Sequence, residues 1–451
     1  MSKPEFVFIG ITKKDLLAIL CLNCASILLI ICAIFFSQLY YPYSNIINFY
    51  DVQHYISIAT DGYSESNPRL YAFMPFFPLL LRYLGFGFPV FFATMLNTVL
   101  FVVSSILIFK ISKEMFELTS RKSLLVATCF IFNPFRFVYF IPYTESLFLF
   151  LCITSWYLWK RNKNPLIWGG LLGLALATRN TGALLAISLG LVSTYGLWNN
   201  QVADKVRNYF TGFGTAFLIG SLYPVYLHFA TGSYKKFIEV QYTHWGRIDY
   251  ALPFDLLWTD ISTMPFHFQT ILTIFSLCIL LAGVVFFFSK TRNNHLEIVL
   301  FSVFSIIVLL VCGRGTQWLT PASASTGRYV FGMFSLYLFL TQIKKQELMV
   351  VLSFVSSLLI TAISLMLNGF LVWYFHKILI ENSTFLDFTI PWRKNFIDGG
   401  RLWFYRCRAF LIRSSSNCFF HCRIWLGWTW NLSANAVVVC SPFMSSNTTL
   451  A

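Results

Sequence analysis

The chain has 451 residues, of which 57% are hydrophobic, 19% aromatic and 11% charged, a balance too apolar for a soluble globular protein. The formal net charge is +15, but the basic residues stand in short clusters between apolar runs and never in an arm or a basic-aromatic stripe, so nucleic acid is not an expected partner. The 11 cysteines are spread through or beside apolar segments without a His/Cys cluster at zinc spacing, so neither a disulfide framework nor a metal site is expected.

Apolar runs of roughly 17–25 residues recur along the chain. Each is long enough to cross about 30 Å of hydrocarbon as a helix that satisfies its own backbone groups. They lack the strict alternation of a β-barrel. The predicted fold class is therefore all-α: a polytopic membrane helical bundle of about eleven transmembrane helices, with a first loop carrying short interfacial helices. The spans are expected to start near positions 15, 88, 123, 145, 165, 182, 208, 268, 296, 328 and 348. The first run, Asp15 to Tyr40, is too long for a secretory h-region and is read as a retained span.

Numbering the spans alternately up and down puts Lys13/Lys14, Lys110/Lys113/Arg121/Lys122, Lys160/Arg161/Lys163, Lys205/Arg207, Lys290/Arg292 and Lys344/Lys345 on one face. The positive-inside rule makes that face cytosolic. The opposite, lumenal face then collects the loop from Tyr41 to Gly87, the turn at Tyr143-Thr144-Glu145, the Arg179-Asn180 corner, the loop from Gly232 to His267 and the stretch from Gly313 to Arg328.

The first lumenal loop is the most unusual segment. Asp51, His54, Asp61, Glu65 and Arg69 crowd into it, although the whole chain holds only 18 Asp and Glu. Asp51, Tyr55 and Ile58 share a face at helical spacing, so a short amphipathic helix along the membrane surface could hold the Asp51 carboxylate beside the bilayer, with Gly62 and Pro68 ending it. A carboxylate there can act as general base toward a sugar hydroxyl. It can equally cap the helix or solvate the loop. His54, without a metal-spaced partner, reads as a hydrogen-bonding histidine.

Further along, Arg136, Glu145, Arg179 and Arg328 each interrupt apolar sequence. Charges at a membrane edge are costly, and arginine's planar fork suits a phosphate. Snorkelling side chains or an Arg–Glu pair between helices are the alternatives. The stretch with Lys235, Lys236, Gln241, Tyr242, His244, Trp245 and Arg247 interleaves cations with aromatics, and reads as an aromatic belt with interfacial lysines or as a surface for sugar or lipid phosphate. No Gly-rich phosphate loop or nucleophile elbow is present. The expected organisation is one membrane domain over 1–390 and an atypical basic tail over 391–451 with no coherent fold of its own, with glycosylation triplets at Asn382, Asn431 and Asn447.

Four blocks carry a resemblance. YDVQHYISIATDGY, with Glu65 and YAFMPFFPLLL after it, NPFRFVYFIPYTESLFLF, ALATRNTGALL and ASTGRYVFGMFSLY together resemble, in order, the signature segments of the GPI mannosyltransferase 2 (PIG-V) family. The match departs at Tyr50, where the family has Trp, and at Thr326-Gly327, where a Leu-Pro-like pair is usual. The tail after Pro391 does not resemble the family's ending.

The resemblance implies a membrane glycosyltransferase of the GT-C class, multi-pass in the endoplasmic reticulum membrane with its active site facing the lumen. It would take dolichyl-phosphate-mannose as donor and the GPI precursor glycolipid as acceptor, adding the second mannose through an α-1,6 bond with inversion. Asp51 would be the catalytic base. His54, Glu65, Glu145, Arg179 and Arg328 would bind substrate, the arginines facing the donor phosphate and the glutamates sugar hydroxyls. No metal or other cofactor is implied, and a small membrane subunit is left open as a partner. A related transferase using another polyprenyl-phosphate sugar, a flippase for a lipid-linked sugar and a non-catalytic subunit of GPI assembly are the competing readings. A flippase predicts polar groups at the bilayer midplane, whereas these charges gather toward one face.

Overall fold

Helices begin at or within about five residues of each span start expected up to position 296. The structure is a computed structural model. It describes residues 7–8, 11–40, 51–199, 203–245, 252, 254–263, 268–291, 294–311, 325–343, 347, 349–353 and 355–357, and strand segments 387–390, 397–398, 401–402, 405–413, 418–426 and 433–440. Tyr50, Arg247, Arg292, Lys344, Lys345, the three glycosylation asparagines and much of the span expected from 348 lie outside the described residues.

The chain divides into two compact units, Met1–Gly369 and Phe370–Ala451. In the first, after a short hairpin of β1 (Val7–Phe8) and β2 (Ile11–Thr12), the regular elements among the described residues are helical: α1 (Lys13–Tyr40), α2 (Val52–Thr60), α3 (Phe76–Leu84), α4 (Pro89–Glu114), α5 (Ser120–Ile131), α6 (Glu145–Lys160), α7 (Pro165–Thr178), α8 (Gly182–Asn199), α9 (Ala203–Thr231), α10 (Lys236–Thr243), α11 (Asp255–Thr263), α12 (Phe268–Thr291), α13 (Leu296–Val311), α14 (Thr326–Phe331) and α15 (Phe334–Phe339). The described residues of the second unit are strands. β3 (Asp387–Ile390), β6 (Tyr405–Arg413), β7 (Cys418–Leu426) and β8 (Ser433–Cys440) pair antiparallel in that order, and β4 (Ile397–Asp398) pairs with β5 (Arg401–Leu402).

Among the described residues four helices are long and apolar enough to cross a membrane: Lys13–Phe35, Pro89–Glu114, Lys205–Thr231 and Gln269–Thr291. Three shorter apolar helices, Pro165–Thr178, Gly182–Trp198 and Leu296–Val311, accompany them. The long helices turn large apolar side chains outward, as at Leu28, Phe35, Phe217, Phe229, Phe275 and Val285. Apolar surface spread over several helices is what lipid-facing walls require.

The count of about eleven spans is not established by these helices. The run expected from 123 forms only α5, because Pro134 cannot continue a helix and the Asn133 carboxamide oxygen accepts from the Phe135 N–H at 2.9 Å, turning the chain. The run expected from 328 is split into α14 and α15 at Met333, whose backbone is extended (φ −83°, ψ 123°).

Small residues set the contact between α7 and α9. α7 presents Gly169 to Gly212, Gly173 to Ala216 and Ile219, and Leu176 to Gly220 of α9, so a side chain at Gly169 would strike the Gly212 carbonyl and one at Gly212 the Trp168 ring. Spacing of four along both helices lets the backbones approach, the usual device where lipid supplies no hydrophobic drive between helices.

One end of the first unit gathers charge. Lys113 meets Asp15 at 3.9 Å, Lys110 and Arg161 both meet Glu114, Arg121 meets Glu347 at 3.7 Å and Lys160 meets Glu297 at 2.9 Å. The start of α1 and the ends of α4 and α6 therefore share one end, as alternate numbering of the spans requires. The start of α6 and the end of α7 lie at the other.

Candidate functional site

At the end of α6 remote from this charged cluster lies a cavity of about 220 Å³. Asp51, Tyr55, Gln241, Glu145, Arg179, Asn180, Arg328 and Tyr329 line its polar part. Phe148, Leu149 and Cys152 of α6, Leu184 of α8, Phe301, Val308 and Leu309 of α13, and Phe334 of α15 line the rest. Polar groups and an apolar wall made by helices of the bundle thus share one cavity, a combination that suits a ligand with both polar and apolar parts.

Asp51 stands directly before α2. Val52, Tyr55, Ile58 and Ala59 form its buried face, and Gly62 ends the segment with a positive φ of 85°, where a Cβ would be strained. Although Asp51 occupies the N-cap position, its side chain makes no capping hydrogen bond. The carboxylate is left to the cavity. Its backbone N–H donates to Tyr143 Oη at 3.0 Å, and its carbonyl accepts from the His54 and Tyr55 amides.

Glu145 is the first residue of α6 and is 6% exposed. Its Oε1 lies 2.8 Å from Arg179 Nη1 and 3.4 Å from Arg328 Nε. One carboxylate therefore holds two guanidinium groups that would otherwise repel. Arg179 also donates to Thr144 Oγ1 at 3.0 Å, and both arginines lie 5.1 Å from the Tyr329 ring centre. Arg328 lies 5.3 Å from the Tyr143 ring, so Tyr143 stands between this arginine and Asp51. Glu145 and Asp51 balance the two arginines within the cavity, so Arg179 and Arg328 offer an anionic group guanidinium donors and local positive charge rather than a net charge.

The structure thus brings Asp51, Glu145, Arg179 and Arg328 to one cavity. His54 and Glu65 are not in its lining. His54 stacks on Phe73 at 5.0 Å and meets Trp245 edge-on at 5.1 Å. Burial, opposed by Asp51 and helped by Arg69, pulls the His54 pKa below its ordinary value. Glu65 is exposed in a turn. Arg136 is 1% exposed, away from the cavity lining, with its guanidinium 3.8 Å from the Phe101 ring centre.

Further contributors come from segments the sequence marks, namely the Tyr143-Thr144 turn, the Arg179-Asn180 corner, the stretch with Gln241 and the block with Tyr329. Tyr143 and Thr144 are anchors. Asn180, Gln241 and Tyr329 are cavity-wall groups able to bond hydroxyls. Gln241 comes from α10, which folds against the first loop through Trp245 Nε1 to the Arg69 carbonyl at 3.2 Å, while Tyr223 Oη of α9 donates to the Tyr71 carbonyl at 2.9 Å. The aromatic-cationic stretch therefore contributes one cavity residue and an aromatic clasp. Among the described residues no group of three or more His, Cys, Asp or Glu is placed to hold a metal.

No protein-family model matches the chain, and a comparison with curated proteins finds no match.

Proposed function

We propose that the chain is a membrane glycosyltransferase that passes mannose from dolichyl-phosphate-mannose to the one-mannose GPI precursor, forming an α-1,6 bond in the lumen of the endoplasmic reticulum. The observation that carries this reading is the joint lining of one cavity by a carboxylate without a capping partner, Asp51, and a glutamate-braced arginine pair, Arg179 and Arg328, beside an apolar wall. The sequence resemblance supplies the sugar, the linkage and the compartment.

In this reaction the acceptor hydroxyl attacks the mannose anomeric carbon from the face opposite the phosphate. Asp51 takes the hydroxyl proton as the new bond forms. The bond to the phosphate oxygen breaks and dolichyl phosphate leaves with the electron pair. Arg179 and Arg328 compensate the charge that grows on that oxygen, where exclusion of water makes the interaction count. Asn180, Gln241 and Tyr329 offer bonds to sugar hydroxyls, and the wall from Phe148 to Leu309 takes the start of an isoprenoid chain. Glu145 is assigned to the arginines and not to sugar.

The test is complementation of cells lacking the second GPI mannosyltransferase. Wild-type chain restores surface GPI-anchored proteins and clears the one-mannose intermediate. Accumulation of a different lipid-linked sugar on loss of the protein would move the assignment to another acceptor, and restoration by Asp51→Asn at equal expression would remove Asp51 as base.

A further inference from the structure

We infer that Asn97, a residue of α4 outside the cavity lining, is a positioning residue that acts through Tyr143 to fix the place of Asp51. The inference rests on the transferase reading for its kinetic consequence but on geometry for the placement.

Asn97 is fully buried, and its Nδ2 donates to the Ile141 carbonyl at 2.6 Å and the Tyr143 carbonyl at 2.8 Å. Two acceptors on one side-chain end require the NH₂ there, so the amide orientation is fixed by its partners. These carbonyls belong to the non-helical link between the 3-10 turn Arg136–Tyr139 and α6. Such a link must find partners for its backbone outside the helix ladder, and Asn97 supplies one to each of the Ile141 and Tyr143 carbonyls.

What the link holds gives the amide its reach. Three consecutive residues at its end each take a different part of the site. Tyr143 Oη receives the Asp51 N–H at 3.0 Å. Thr144 Oγ1 receives Arg179 at 3.0 Å and lies 3.5 Å from Tyr55 Oη. Glu145 braces Arg179 and Arg328. A slip of this tripeptide would shift the base relative to the cation pair, and misplacement by about 1 Å can cost on the order of 100-fold in rate. A helix-to-loop staple without this role would lower stability and leave turnover alone.

The experiment uses the full chain in detergent-solubilised microsomes with labelled dolichyl-phosphate-mannose and the one-mannose precursor, and compares Tyr143→Phe, Asn97→Leu and Asn23→Leu. Asn23 is the control, since it is equally buried and its amide donates to the Ile19 carbonyl and Ser105 Oγ, away from the link. Tyr143→Phe removes one oxygen and keeps the packing. It is expected to lower kcat about 10-fold, and Asn97→Leu about 30-fold or more, with donor KM within about two-fold. Asn23→Leu lowers the thermal midpoint with kcat unchanged. Hydrogen exchange supplies a readout free of activity, with the Asp51 amide exchanging faster in the first two variants and at the wild-type rate in the third.

Unchanged kcat in Tyr143→Phe, or an Asp51 amide no faster in either variant, overturns the inference. A wild-type chain that transfers no mannose fails the function reading instead, and the exchange rates then decide the placement alone.

Discussion

Glu145 and Arg179 are joined at 2.8 Å although they belong to different helices, and the same Glu145 oxygen also faces Arg328 at 3.4 Å. The carboxylate sits at the first turn of α6, where the helix dipole favours a negative charge. Removing it leaves two half-buried guanidiniums facing each other without their shared carboxylate. Glu145→Gln is therefore expected to destabilise the fold by about 3–5 kcal/mol, measured as the unfolding midpoint in detergent, and to weaken donor use by more than it weakens acceptor use. A variant as stable as wild type would show that the arginines do not depend on it.

The α7–α9 contact makes a steric prediction. Gly212→Val forces a side chain into the Trp168 ring and is expected to cost about 3 kcal/mol, the upper end for overpacking. Gly214→Val, where a Cβ meets nothing within 4 Å, is expected to be near neutral. Equal thermal midpoints for the two would contradict the close packing.

His54 gives the pH dependence. Its pKa in the fold is lowered from 6.5, chiefly by burial, so the unfolded chain binds its proton more readily than the folded one. The stability His54 contributes is present above about 6.5 and is lost as pH falls from there through the lowered folded value. A thermal midpoint followed from neutral to mildly acid pH should fall in wild type and fall less steeply in His54→Gln. Because His54 packs on Phe73 and Trp245 and is outside the cavity lining, His54→Gln is expected to keep kcat within about three-fold, the scale of a residue that does not touch the reacting atoms.

At the opposite end, Glu297 is 1% exposed and accepts from Lys160 Nζ at 2.9 Å and Trp156 Nε1 at 3.2 Å, pinning the end of α6 to the start of α13. Lys160→Met leaves the carboxylate with only His295 Nδ1, at 3.8 Å, as a cationic partner and is expected to cost about 3 kcal/mol, while adding Glu297→Met recovers most of the loss. Transfer kinetics should be unmoved at low temperature, since the pin is remote from Asp51. A double variant as unstable as the single one would show that the cation acts through packing alone.

The site was legible where charge interrupted apolar sequence. Arg136, Glu145, Arg179 and Arg328 stand out because a charge near hydrocarbon is costly, and Asp51 because acidic residues crowd its loop; all but Arg136 line the cavity. What pattern could not give was the partnership. Glu145 as a sugar ligand and Glu145 as a brace look identical in sequence, and only a 2.8 Å contact separates them. Asn97 is uncharged, so one amide within an apolar run passed as ordinary composition, although a polar side chain inside a span is itself a signal of a helix-to-helix or helix-to-loop bond. His54 and Glu65 are near Asp51 in the chain but do not line the cavity: His54 stacks on Phe73, a lining residue, and Glu65 is exposed in the turn after α2.

For the fold, hydropathy placed the helix starts well because length and apolar content decide them. It overran at α5 and at the α14–α15 break, where local backbone chemistry at Asn133-Pro134 and Met333 ends a helix inside a run that stays apolar. The four-residue spacing of Gly169 and Gly173 against Gly212, Ala216 and Gly220 was readable, but hydropathy alone does not show which helices pair.

The central claim is tested most directly by transfer in microsomes that lack the endogenous enzyme, supplied with labelled dolichyl-phosphate-mannose and the one-mannose GPI precursor, with wild type and Asp51→Asn compared at equal expression. Wild type is expected to give a labelled two-mannose product, and Asp51→Asn a rate lower by about 100-fold or more, the scale of a lost general base. Wild-type membranes that make no such product, or an Asp51→Asn chain that makes it at the wild-type rate, would contradict that claim.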